Sequence, residues 1–243
     1  MFLSSPCNMG SRVRLAALLC CSAFVVGTTP LLAQTVGYPP SQSPYEDIKT
    51  PQRLTLFGGY FDARRDEAGA APESAPMIGA QYEVTIDGPA QFFVRGAWVN
   101  SQRNAFNPGL PAPSDQLGKF GDALFLGDLG VSLNLTGQRT WHHLIPTVGF
   151  GVGLASARGS VKNDPYDFGT QFSFSADLGV SYELGKNYEF RVGVGNTFYQ
   201  NHYPAGYYTV TSDSSSVVRN GVAKTSYLSN WRLTAGLAVP LFR

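Results

Sequence analysis

The chain has 243 residues, carrying 18 Lys and Arg against 17 Asp and Glu, and three cysteines. So even a balance leaves no electrostatic footprint for nucleic acid, and no nucleic-acid partner is expected. Cys7, Cys20 and Cys21 all lie near the N-terminus, which excludes a disulfide framework or a thiolate metal site from the remainder.

In chain order, the first predicted element is an export signal over residues 1–33. Arg12 and Arg14 precede an apolar run from Leu15 to Val26, and small residues lead to a cleavage point after Ala33, with Gly27 as the second choice. The run is short for a transmembrane helix, which needs about twenty residues, so an uncleaved anchor is the weaker reading. Leu19 stands where a small residue is needed before a lipidated Cys20. Residues 34–51, with Tyr38-Pro39-Pro40-Ser41-Gln42-Ser43-Pro44 and Pro51, predict an extended proline-rich tether on the periplasmic side.

The remaining stretch, 52–243, suits one all-β domain, with no second domain expected after it. Its clearest signal runs from Phe172 to Leu184, where apolar residues alternate with polar residues or glycine without a break. A period of two defines a strand with one apolar and one polar face. The same pattern predicts eight strands, near residues 53–62, 77–86, 91–100, 124–135, 145–157, 170–184, 188–200 and 229–242. Asp87-Gly88-Pro89, Thr136-Gly137-Gln138 and Gly185-Lys186-Asn187 give short turns. The connections 63–76, 101–123, 158–169 and 201–228 are long. Short and long connections therefore alternate, the layout of a barrel with short periplasmic turns and long extracellular loops. No run of eighteen apolar residues follows Ala33, so a spanning chain must pair its backbone between strands of a closed sheet.

Tyr60, Trp98 and Trp231 fall at the outer strand ends, and Tyr182 and Tyr188 flank a periplasmic turn. Two such rows match interfacial aromatic girdles. If the apolar face meets lipid, Arg53, Glu83, Arg95, Asp128, Asp177, Glu183, Glu189, Arg191 and Arg232 face a lumen too narrow to be left empty. Mutual neutralisation is expected there. Arg95, Asp128, Asp177 and Arg191 are placed at mid-height, with Arg53, Glu83, Glu183 and Glu189 lower. Arg191 with Glu183 or Asp177 is the favoured pair. Gly149, Gly151, Gly153, Gly193 and Gly195 face inward and make room for bulky lumen residues.

The signal, the eight alternating strands and the terminal strand resemble the small outer-membrane β-barrel superfamily that includes the OmpA transmembrane domain and OmpX. The resemblance implies an eight-stranded antiparallel up-and-down barrel at residues 52–243 in the bacterial outer membrane. It also implies that Thr234, Gly236, Val239, Leu241 and Phe242 form a signal read by the barrel-insertion machinery; Arg243, after the aromatic, departs from that pattern.

Catalytic, cofactor and metal sites are not expected. His142 and His143 sit on a turn, where adjacent side chains of an extended chain point apart. His202, Asp213, Ser214 and Ser215 share a long loop that reads as solvated surface. The favoured function is a non-enzymatic outer-membrane protein, in contact with lipid, whose loops 101–123 and 201–228 meet an extracellular protein or surface ligand. The loop 101–123, with Pro108, Pro111 and Pro113, reads as irregular, and Asn220-Gly221 predicts that strands seven and eight, or a small extra hairpin, project beyond the membrane. A narrow pore for ions or very small solutes is the alternative. A soluble lipocalin-like barrel is third, since it would leave the inward glycines on its outer surface.

Overall fold

The computed structural model describes residues 43–48, 51–185, 188–219 and 221–242; the export signal and most of the tether lie outside the described residues. The chain divides into units 1–43 and 44–243, and every described residue but Ser43 belongs to the second. Its strands are β1 (Tyr45–Asp47), β2 (Gln52–Asp62), β3 (Ala75–Asp87), β4 (Ala90–Val99), β5 (Gln102–Phe106), β6 (Gln116–Gly121), β7 (Leu124–Asn134), β8 (Arg139–Trp141), β9 (Leu144–Ala157), β10 (Gly169–Glu183), β11 (Glu189–His202) and β12 (Thr225–Phe242). Eight of these pair antiparallel in the order β9-β10-β11-β12-β2-β3-β4-β7, and β7 pairs back onto β9 to close the barrel. Closure removes both sheet edges, so backbone polar groups find partners between strands.

The alternation sorts the two faces. Phe172, Phe174, Leu178 and Val180 of β10 point outward, while Ser173, Ser175 and Asp177 point inward. Neighbouring strands continue this belt: Leu56, Ile78, Val94, Leu129, Val152, Val192 and Leu233 are all exposed. Phe172 and Leu233 are 66% and 65% exposed, values that a water-facing surface rarely repeats over so many neighbours. The outside is therefore apolar and the lumen polar.

An apolar core does form, but at the long-loop end. Phe61, Met77, Val99 and Leu124 close the strand ends there, and Tyr166, Phe168, Tyr203, Tyr207 and Val218 from the loops pack above them.

The short turns are tight. Gly185 takes φ 77°, a left-handed conformation open to glycine at little cost. Gly195 answers to space instead: a Cβ there would collide with the Asp177 carboxylate, whereas a Cβ on Gly96 would meet nothing within 4 Å.

Two expectations are corrected. Loop 101–123 is not irregular: β5 and β6 form a hairpin, pairing Gln102 with Gly121 and Arg103 with Phe120. All three prolines lie in its tip between the strands, where their missing N–H removes no ladder bond. Part of the predicted tether is a strand as well, with β1 pairing Glu46 to Thr140 of β8. The long loop after β11 carries a short 3-10 turn, Ala205–Tyr208, and β12 opens at Thr225 opposite His202. Asn220 of the predicted hairpin lies outside the described residues, and Gly221 stands in a turn.

Gly195→Val is expected to destabilise the refolded barrel by about 1–3 kcal/mol through overpacking, with Gly96→Val near neutral. Urea unfolding in detergent measures both.

Candidate functional site

The inward side chains of the barrel form two tiers of ion pairs. In the middle tier, Arg95 of β4 reaches Asp128 of β7 at 2.6 Å and Asp177 of β10 at 2.9 Å. Arg232 of β12 reaches the same two carboxylates at 3.0 and 2.9 Å. Two guanidiniums and two carboxylates thus close a ring across the lumen. In the lower tier, Glu83 of β3 accepts from Arg191 of β11 at 2.6 Å and lies 4.0 Å from Arg53 of β2. Arg53 in turn bonds Glu189 at 2.9 Å, and Gln81 donates to Glu83 at 3.0 Å.

The eight groups balance four against four. That balance matters because an unpaired charge removed from water costs several kcal/mol, while a pair with its hydrogen bonds met roughly repays the cost. The arrangement fixes register more than it adds stability.

Arg191 was expected beside Glu183 or Asp177 and instead crosses to Glu83. Asp177 is already occupied by two guanidiniums. In an eight-stranded barrel, moreover, a long side chain spans the lumen as easily as it reaches a neighbour. Arg191 accordingly belongs to the lower tier. Glu183 stands outside both tiers, at the short-turn end, with His143 3.9 Å away. Arg232 was recognised as inward but was not placed at mid-height, because the register of β12 on β2 and β11 is invisible in the sequence.

Little lumen space is left. Two lumen cavities, of about 30 and 40 Å³, share Gln81, Arg95, Asp177, Arg191 and Thr234. At about 10–15 Å³ per water, each holds roughly two to four waters.

A second site, not foreseen from the sequence, lies among the long loops. Arg103 of β5 is fully buried, 2.6 Å from Asp164 and 3.3 Å from Asp122, with its guanidinium 5.1 Å from the Tyr166 ring centre. Tyr207 donates to Asp164 at 2.8 Å, and Tyr203 donates to Asp66 at 2.6 Å. Tyr207 stacks between Tyr166 and Tyr203 at 6.1 and 6.2 Å and meets the edge of Phe106 at 6.0 Å. One buried cation thereby ties the β5–β6 hairpin to the loop before β10, and the tyrosines add the loops after β2 and β11. The cap roofs the barrel. Its sequence signal was the clustering of Tyr203, Tyr207 and Tyr208 in one loop, but their hydroxyl partners lie 43 positions away at Asp164 and 137 away at Asp66.

Other predicted residues are placed as follows. Tyr60, Trp98 and Trp231 project outward near the long-loop ends of β2, β4 and β12, and Tyr182 and Tyr188 project outward at the short-turn end. On β12, Thr234 and Gly236 face the lumen, while Val239 and Leu241 face outward; the side chain of Phe242 lies outside the described residues. In the serine-rich loop, Asp213 accepts bonds from Ser215 and Thr211, which pull its carboxyl down to about 2. Such a carboxylate is a poor proton acceptor at neutral pH. His202 closes β11 opposite Thr225.

No protein-family model and no curated protein sequence matches the chain. Among solved structures, Neisserial surface protein A aligns with a TM-score of 0.51 at 14% identity, over 79% of this chain and 98% of its own. OprG of Pseudomonas aeruginosa aligns at 0.49 and 16%, over 78% and 96%. Ail of Yersinia pestis, in complex with a heparin analogue, aligns at 0.38 and 12%, over 77% and 98%. The first likeness shows a shared fold, that of the small eight-stranded outer-membrane β-barrels.

Burial, and then the bonds to Asp66 and Asp164, raise the Tyr203 and Tyr207 hydroxyls above the usual tyrosine range. The stability they contribute is present below the ordinary value of about 10 and is lost as pH rises through the raised folded values. The loops are expected to become sensitive to proteinase K only above about pH 10, in step with phenolate absorbance. In the lumen, Arg232→Met leaves two carboxylates sharing one guanidinium and is expected to cost about 3–5 kcal/mol in urea unfolding.

Proposed function

We propose that the protein is an integral outer-membrane barrel with a sealed lumen, acting through its long loops as a structural or surface-interaction protein rather than as an enzyme or an open pore. The observation that carries this reading is the pairing of an outward apolar belt with a charge-balanced, filled interior. A belt of exposed Leu, Val and Phe is stable against hydrocarbon and costly against water, at about 25 cal/mol per Å². The rows of outward Tyr and Trp at both strand ends are assigned to the two interfaces, where one end of such a ring is apolar and the other wet. The apolar end of the barrel wall is thereby framed above and below.

The ring of Arg95, Asp128, Asp177 and Arg232 supports a sealed interior, as do the water-sized cavities and the cap above them. Loops 101–123 and 201–228 are then the surface offered to a partner. The cap holds their bases rigid while leaving Leu110, Phe120 and Val210 exposed. An extracellular protein or surface ligand is the assigned partner class. Outer-membrane lipid meets the belt, and the terminal strand is the segment assigned to the insertion machinery during assembly.

Membrane fractionation with heat-modifiable gel migration tests the placement; recovery in the soluble fraction with no mobility shift overturns it. In planar bilayers the refolded protein is expected to give no large, steady conductance, and such a conductance would establish the pore instead. Deleting residues 205–224 is expected to abolish surface binding without affecting insertion.

A further inference from the structure

At the short-turn end of the barrel, three donors from three chain segments face one another. Glu46 is carried by β1, His143 by the turn between β8 and β9, and Glu183 by the last residue of β10. Their nearest ligand atoms all lie within 4.8 Å of one another, and His143 Nδ1 is 3.9 Å from an oxygen of each glutamate. These separations are too long for hydrogen bonds. We propose that Glu46, His143 and Glu183 form a binding site for a divalent cation of the zinc class, clasping β1 to the end of the barrel.

The donor set defines the class. One imidazole nitrogen with two carboxylate oxygens suits borderline ions such as Zn²⁺, and an all-oxygen set would suit Mg²⁺ or Ca²⁺. Donors bound tetrahedrally at about 2.1 Å stand about 3.4 Å apart, so His143 has to close by roughly half an ångström on each glutamate, and the set, now within 4.8 Å, by at most about 1.4 Å. Glu46, with a side chain 60% exposed, is free to make that adjustment. Three protein ligands leave a fourth position to water.

The surroundings hold the donors in place. His142 and His143 form the two-residue turn joining Trp141 to Leu144, with φ of 50° and 64°. The His143 carbonyl accepts from the Glu183 amide at 2.9 Å, and the imidazole packs edge-on to Tyr182 with centroids 6.2 Å apart. On the other side, the His142 amide donates to Pro44 at 2.8 Å and the Ile48 amide to Gln138 at 2.9 Å, which brings Glu46 to the turn. The lumen cation Arg53 makes its ion pairs with Glu189 and Glu83. The sequence could not supply this set. Adjacent histidines on an extended chain point apart, but here both adopt a left-handed turn, and a further donor arrives from 97 positions upstream.

The test is titration of the refolded full chain with Zn²⁺ in a non-chelating buffer near neutral pH. It does not depend on where the protein resides. Saturable one-to-one binding is expected, weakened on the order of tenfold or more by His143→Ala, Glu46→Gln or Glu183→Gln and unchanged by His142→Ala. Zn²⁺ should also slow hydrogen exchange at the Ile48 and His142 amides, with Mg²⁺ giving neither effect. Heat-modifiable migration checks that each variant is folded. Binding that survives His143→Ala, or that is lost equally with His142→Ala, overturns the site, as does the absence of saturable binding.

Discussion

Closing eight strands on themselves puts every second side chain into a cylinder barely wide enough to hold side chains. Everything else in this molecule follows from what occupies that space. The occupants are charged, so each must meet an opposite charge within hydrogen-bonding distance or pay a desolvation cost larger than typical net stability allows. Arg95, Asp128, Asp177 and Arg232 meet that requirement as a closed ring drawn from four strands. A one-residue slip of any of them would turn a charge to the outer wall and leave its partner alone. The ring therefore ties together the registers of β4, β7, β10 and β12, strands far apart in sequence.

The same constraint inverts the usual arrangement of a globular domain. Apolar residues displaced from the lumen cover the outside, and the conventional apolar core moves to the long-loop end around Tyr166, Tyr203 and Tyr207. The loops are thus not loose connections hung on a rigid wall. Arg103, buried between Asp122 and Asp164, makes their bases part of the fold. A surface held this way binds with less ordering entropy to lose than a disordered one. In the proposed role, recognition rests on that preorganisation.

The legible part of the sequence was whatever depends on local period and spacing. The alternation from Phe172 to Leu184 gave strand and faces together, and the short–long rhythm of connections gave closure and the sidedness of the ends. Arg95, Asp128 and Asp177 could be assigned to mid-height from strand direction alone. What depends on long-range register could not. Arg191 pairs with Glu83 across 108 positions, Arg232 enters the ring only through the offset of β12, and Arg103 finds Asp164 only once a proline-tipped loop folds as a hairpin. Tyr45–Asp47 became a strand because β8 offered an open edge, something no proline count in the tether reveals.

The central claim is that the two faces of each strand meet different media, lipid outside and a sealed polar lumen inside. The most direct measurement is a spin-label scan along residues 172–182 in lipid bilayers, on a background with Cys7, Cys20 and Cys21 replaced. Collision with oxygen, which partitions into hydrocarbon, should be high at 172, 174, 178 and 180 and low at 173, 175, 177 and 181, a period of two. A flat profile, or a profile in which the odd positions collide freely with a water-soluble relaxation agent, would contradict the account.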